Sequence, residues 1–267
     1  MPSYVITGAS RGIGLEFVRQ LSASADNQVF GIVRNPATAT KLTALGRQNV
    51  HVLQADIVDV EALKSAAAEV GRMTGGALDV LINNAALVGG DNQSLTLSTY
   101  PEGQESVLAD DLRQNFEVNV IGVINTINAF LPLLRKGNLK QVITLSTGLA
   151  DTKVILDASF PVHAPYSITK AALNMVVAKY AAEFKKEGLI FLAISPGVVN
   201  TAEKPPSPEQ IEGYKWMVAR FQEAAPTWDG QALSPEVSVK MMLDVVANLS
   251  EKNSGAFVSQ YGNQKWL

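Results

Sequence analysis

Cysteine is absent from the 267 residues, which excludes disulfides, thiol catalysis and thiolate metal sites. Histidine is almost absent: His51 and His163 are the only two and lie far apart in the chain, so no histidine-based metal site is expected. There is no surplus of positive charge either. Lys and Arg number 22 against 25 Asp and Glu, a formal charge of −3, which leaves no basic footprint for nucleic acid or an anionic membrane. No run approaches the ~18 apolar residues of a membrane span. Met1-Pro2-Ser3 leads into a strand-like stretch with no signal-peptide pattern. What is present is apolar bulk: 47% hydrophobic against 18% charged residues, enough to build a large core. The expectation is a soluble, cytoplasmic, metal-independent protein forming a single domain over residues 1–267.

Apolar runs alternate with helical patterns along the chain. Tyr4–Ile6, Val29–Val33, Val50–Leu53, Ala77–Ile82, Gln141–Leu145, Leu189–Ile194 and Ala256–Val258 read as strands. Ile13–Leu21, Val60–Val70, Leu112–Leu134, Tyr166–Lys186 and a segment starting at Pro235 read as helices. Strands that are apolar throughout require cover on both faces. Alternation with helices then implies right-handed crossovers and a doubly wound parallel sheet, the Rossmann type of α/β fold. One region reads as irregular: Glu203 to Asp229, punctuated by Pro205, Pro206, Pro208 and Pro226, is expected to be a substrate flap at about 203–230.

In such a sheet ligands sit outside the carboxyl ends of the strands. The first strand runs into Thr7-Gly8-Ala9-Ser10-Arg11-Gly12-Ile13-Gly14. Glycines there let the backbone turn tightly and approach a pyrophosphate, and the following helix aims free N–H groups at the anion. The second strand ends in Val33-Arg34-Asn35, with no carboxylate to hold a ribose 2′-OH. Arg34, with Arg11 opposite, suits a 2′-phosphate, so NADP(H) is preferred to NAD(H). Asp56, ending the third strand, reads either as an adenine contact or as a turn aspartate.

Tyr166-Ser167-Ile168-Thr169-Lys170 opens a helix, which puts Tyr166 and Lys170 on one face. A phenol titrates near ~10, so acid–base work at neutral pH needs a neighbouring cation to favour the phenolate. Lys170 is placed to be that cation.

Taken with Asn83-Asn84-Ala85-Ala86, Asn119, Ser146-Thr147 and Pro196-Gly197-x-x-x-Thr201, these segments resemble the short-chain dehydrogenases/reductases, and within them the single-domain, NADP(H)-dependent carbonyl-reductase-like branch. The resemblance runs in order from residue 3 to about 201. It implies Tyr166 as catalytic acid/base and Lys170 as the residue that binds the nicotinamide ribose and lowers the tyrosine pKa. It implies Asn119 as support for a proton relay, and Asn83, Asn84 and Ala85 on the adenosine side. Pro196, Gly197, Val199 and Thr201 fall at the nicotinamide end. The sequence departs from the family pattern at three places. The hydroxyl pair is Ser146-Thr147, either of which can orient a substrate carbonyl, and Ser146 is slightly favoured. Ala86 stands where glycine is commoner. The loops Leu87–Ala109 and Leu149–Pro165 are long and border the substrate mouth.

The implied activity is hydride transfer between NADP(H) and a small carbonyl or alcohol. Tyr214, Trp216, Met217, Phe221 and Trp228 offer either a hydrophobic substrate lining or simple packing of the flap. His163 reads as a loop histidine at the mouth. The alternative is an NADP(H)-binding sensor on the same scaffold, which would not need Tyr166, Lys170, Asn119 and a hydroxyl together. Family members pair the two long helices, so a homodimer or homotetramer is expected.

Overall fold

A computed structural model describes residues 1–89, 92–103 and 105–267. Residues 90, 91 and 104, in the long Leu87–Ala109 loop, lie outside it. In chain order the elements are β1 Ser3–Thr7, α1 Gly12–Leu21, β2 Gln28–Val33, α2 Thr40–Thr43, β3 Val50–Gln54, α3 Val60–Thr74, β4 Val80–Asn83, α4 Glu105–Phe116, α5 Gly122–Leu134, β5 Gln141–Leu145, α6 Thr152–Asp157, α7 Ala164–Glu183, β6 Ile190–Ser195, α8 Pro208–Ala224, α9 Pro235–Ala247 and β7 Phe257–Ser259. The strands form one sheet in the order β3-β2-β1-β4-β5-β6-β7. Every described pairing is parallel. The expected doubly wound α/β sheet is therefore present, with its reversal of strand order between β1 and β4.

The strands are apolar throughout because successive residues feed opposite cores. Val5, Leu81, Val142 and Phe191 enter the layer made with α3, α5 and α7, together with Leu63, Phe130 and Val177. Their neighbours Ile6, Ile82, Ile143 and Leu192 enter the layer made with α1 and α9, beside Phe17, Val18, Val239 and Met242. Full burial of each such side chain contributes about 1.5–3 kcal/mol. Local signals set the helix ends. Asp59 caps α3 by accepting from the Ala62 N–H (3.0 Å), and Gly75 at φ +71° closes it.

Two sequence expectations need correction. Residues 203–229 are not irregular throughout, because 208–224 form the 17-residue helix α8. Ser207 and Gln210 make a reciprocal capping box, and Pro208 stands at the first helical position, where a missing N–H is harmless. Prolines that read as punctuation are here a helix start. The second correction concerns the long helix. The continuous helical run Ser106–Leu134 is long and apolar enough to cross a membrane by length and composition, contrary to the reading that no stretch qualifies. Its Val123, Ile127, Phe130 and Leu134 are instead buried against the sheet. Within it the backbone widens to a π-helical turn over Glu117–Ile121, centred on Asn119.

A third, smaller core lies beyond the β5–β6 end of the sheet. Phe221 and Met217 of α8, with Trp228, pack on Phe160, Val162 and the terminal Leu267. For Phe221, Met217 and Trp228 the packing role is the one realised. Tyr214 and Trp216 remain exposed, with Trp216 against Phe160 at 5.4 Å between ring centres.

Candidate active site

The glycine loop is shaped by close contacts. Gly8 takes φ +68° and Gly12 φ +56°. A side chain on Gly14 would lie 2.3 Å from the Gly8 carbonyl oxygen, so only glycine fits there. Thr7 and Asn84 lock this loop to the end of β4. The Thr7 hydroxyl accepts from the Asn84 and Ala85 N–H groups (3.0 and 3.1 Å), and the Asn84 amide donates to the Thr7 and Gly8 carbonyls (2.9 and 3.2 Å). Ile13 packs into the α1 core layer. The N-terminus of α1 has no side-chain cap, which leaves its first N–H groups free to meet an anion.

Beside the loop opens a cavity of about 300 Å³. Ser10, Arg11, Arg34, Thr38 and Lys41 line it, and Glu203 reaches into it from the start of the flap. The two arginines singled out by sequence do converge here. Lys41 and Glu203 were missed, because neither belongs to a motif and they are far apart in the chain. Asp56 lies elsewhere, and its carboxylate accepts from the Val58 N–H (3.2 Å) as a turn aspartate does. Asn83 donates to the Thr144 hydroxyl (3.3 Å) while its own carbonyl oxygen is buried without a partner. A glycine cradle with no room for side chains, an uncapped helix start and a cationic cavity form a donor set that fits a phosphorylated dinucleotide.

At the other end of the site Tyr166 and Lys170 occupy the first turns of α7, which begins at Ala164-Pro165. Lys170 is buried, its Nζ donating to the Leu145 carbonyl (2.7 Å) and lying 5.8 Å from the centre of the Tyr166 ring. The Thr147 side chain lies toward the Tyr166 hydroxyl and draws its proton affinity down. Its Oγ1 also accepts from the Leu149 N–H (3.2 Å), which leaves the Thr147 proton as the one free to donate. Ser146 is turned away. It is buried and donates to Asn174 Oδ1 at 2.7 Å. The slight preference for Ser146 is therefore reversed: consecutive residues leaving a strand point to opposite sides, and Thr147 is the one facing Tyr166. Thr147→Ala is expected to lower kcat about 10²-fold, the usual effect of deleting one hydrogen-bond donor to a reacting oxygen. Ser146→Ala is expected to leave kcat close to wild type. It should cost about 1–3 kcal/mol of stability through the unpaired Asn174 oxygen, read by steady-state kinetics and urea unfolding.

Burial dominates the proton affinities in this pocket. It pushes the Tyr166 phenol up to about 12, only partly offset by the Thr147 side chain. It draws the Lys170 amine down to about 7. The expectation that Lys170 lowers the tyrosine does not describe this site without its cofactor, because the ammonium form is itself disfavoured by desolvation.

Asn119 is wholly buried, and its carboxamide is fully committed. Oδ1 accepts from the Leu87 N–H (2.8 Å), while Nδ2 donates to the Leu87 carbonyl (2.9 Å) and to Thr169 Oγ1 (3.1 Å). Thr169 Oγ1 in turn donates to the Tyr166 carbonyl (2.8 Å). The side chain thus fastens the loop after β4 to α7. Pro196 accepts from Ser238 Oγ (2.7 Å), Gly197 adopts φ +80° against Gln260, and Val199 bridges to Leu233. Thr201 packs directly over Gly12, so the start of the flap touches the glycine loop. His163 caps α7 in the left-handed region and stacks on Phe160. Trp266 was missed by sequence because nothing near the chain end marks it. Its indole N–H donates to Asp151 (2.9 Å) and its ring closes over Gly148, next to Thr147.

Comparison with known proteins agrees with this geometry. Residues 3–212 match the short chain dehydrogenase family model. Over the full length of both chains, the sequence is 44% identical to the short chain dehydrogenase virK of Hypocrea virens and 43% identical to the short-chain dehydrogenase/reductase atnB of an Arthrinium species. Among solved structures, the NADPH-bound carbonyl reductase from chicken fatty liver superposes with a TM-score of 0.78 at 28% identity, covering 98% of each chain. With the glycine cradle, the Tyr166–Lys170 helix and these relatives in agreement, the chain belongs to the short-chain dehydrogenase/reductase family and resembles its carbonyl-reductase branch.

Proposed function

We propose that this chain is an NADP(H)-dependent oxidoreductase acting on the carbonyl or alcohol group of a small, largely apolar molecule. It works as one dinucleotide-binding domain with residues 203–230 as its flap. The observation that carries the reading is the grouping of Thr147 and Tyr166 over the buried Lys170, at the same carboxyl end of the sheet as the cavity lined by Arg11, Arg34 and Lys41. The NADPH-bound relative supports the choice of cofactor. Bound there, the nicotinamide would supply or accept the hydride.

The chain's own residues do the rest. Thr147 directs its free hydroxyl proton at the substrate oxygen. Tyr166 Oη, holding its proton firmly in the apolar pocket, donates it to the oxygen as charge develops. Lys170 Nζ lies beneath the tyrosine ring and against β5, where it can share a ribose hydroxyl. Asn119 holds the Leu87 backbone and so keeps the β4 loop in register with α7. Ile121, Ile168 and Met175 remain exposed on the two long helices, which supports pairing of copies there into a homo-oligomer.

Parallel fluorescence titrations with NADPH and NADH, on wild type and Arg34→Ala, test the cofactor assignment. Loss of one charge-assisted phosphate contact should weaken NADPH about tenfold or more and leave NADH unchanged. Equal affinities of the wild type for both cofactors would overturn the assignment. Failure to bind either would favour a protein that has lost the activity.

A further inference from the structure

We infer that Glu203 is a displaceable carboxylate plug in the 2′-phosphate pocket: it occupies the pocket when nucleotide is absent, sets the preference between NADPH and NADH, and tethers the flap until a 2′-phosphate takes its place on Lys41. The inference rests on the NADP(H) reading above and concerns a residue outside the catalytic group.

The geometry is specific. Glu203 Oε1 accepts from Lys41 Nζ at 2.8 Å, across a cavity otherwise lined by Arg11, Arg34 and hydroxyl side chains. Lys41 and Arg11 together hold the Glu203 carboxyl below the ordinary carboxylate range, so it is ionised at neutral pH. Three cations facing one carboxylate form a pocket already holding an anionic group. A 2′-phosphate carries close to two negative charges and binds through the same cations. It cannot share them at contact distance with a carboxylate without like-charge repulsion.

The exchange of partners has a second consequence. Glu203 lies two residues beyond Thr201, whose side chain rests on Gly12, and four before the Ser207 cap of α8. Among the described ion pairs, Lys41–Glu203 is the one that joins the flap to the β2 side of the site. Both side chains are substantially exposed, so the pair is weak enough in water to be broken by a competing dianion. Binding at the adenosine end would thereby free the segment leading to α8.

Binding titrations on wild type, Glu203→Gln and Arg34→Ala, with NADPH, NADH, adenosine 2′,5′-bisphosphate and 5′-AMP, separate the possibilities. Glu203→Gln is expected to tighten NADPH and the bisphosphate about three- to tenfold, while NADH and 5′-AMP are unchanged. In wild type the bisphosphate, but not 5′-AMP, is expected to speed hydrogen exchange across residues 202–207. Glu203→Gln should show the faster exchange without nucleotide. Unchanged NADPH affinity in Glu203→Gln, or an equal shift for all four ligands, overturns the plug. Exchange indifferent to the bisphosphate overturns the tether. If Arg34→Ala weakens NADPH selectively while Glu203→Gln does nothing, the plug alone fails. If Arg34→Ala shows no selectivity either, the NADP(H) reading itself has failed.

Discussion

Replacing Tyr166 with phenylalanine is expected to lower kcat for carbonyl reduction by about 10²–10⁴-fold, the range over which positioned general acids contribute. NADPH affinity should be almost unchanged. The phenol lies toward Thr147 at the end of β5, and phenylalanine keeps the ring while removing only the oxygen. Burial holds the Tyr166 proton up to about 12 in the site without cofactor. The group is therefore fully protonated at neutral pH and ready to donate, so reduction should be insensitive to its titration below about pH 10. The reverse reaction needs the same oxygen as a proton acceptor. Alcohol oxidation is accordingly expected to speed up as pH rises through the alkaline range. Steady-state kinetics in both directions, with cofactor titrations on the same preparations, would check this. Wild-type turnover in Tyr166→Phe would remove Tyr166 from the chemistry.

Much of this site could be read from the sequence wherever backbone geometry dictates the residue. Gly14 has no room for a side chain, Gly8 and Gly12 need positive φ, and uniformly apolar strands need cover on both faces. Such constraints act within a few residues and leave a local trace. What stayed hidden depends on tertiary placement. The choice between Ser146 and Thr147 turns on which side of β5 the chain leaves, and a shift of one residue reverses it. Helix α8 had a local signature, Ser207-Pro208-x-Gln210, overlooked among the surrounding prolines. Trp266 on Gly148, and Glu203 on Lys41, join segments more than 100 residues apart. No single-sequence pattern marks them. The depth of Lys170 was equally invisible. A helix position four residues from Tyr166 says that the two share a face, but not that the amine is cut off from water.

That depth leads to the second large effect. Lys170→Met is expected to abolish most activity, about 10²-fold or more in kcat, and at the same time to make the protein without cofactor more stable at neutral pH. Desolvation draws the buried amine from 10.5 down to about 7, so below that value the fold must carry a charged group where it prefers a neutral one. A fall of that size corresponds to an opposing contribution of roughly 5 kcal/mol, an upper figure because the Leu145 carbonyl accepts from the amine. Between pH 7 and 10.5 the unfolded chain binds more protons at this position than the folded one, so wild-type stability rises with pH across that window. Methionine, of similar length and without charge, carries no such dependence. The excess stability of Lys170→Met over wild type should therefore be largest at or below pH 7 and shrink toward pH 9.5. Tyr166 begins to oppose the trend only above about pH 10, where the unfolded phenol ionises first. Urea unfolding of both proteins at pH 6.5, 8 and 9.5 reads the difference directly. A constant gap would mean that the lysine is charged and well solvated in the folded site. A shrinking gap would mean that this fold tolerates a destabilising amine at its centre, and the loss of turnover in the same variant would show what that amine is kept for.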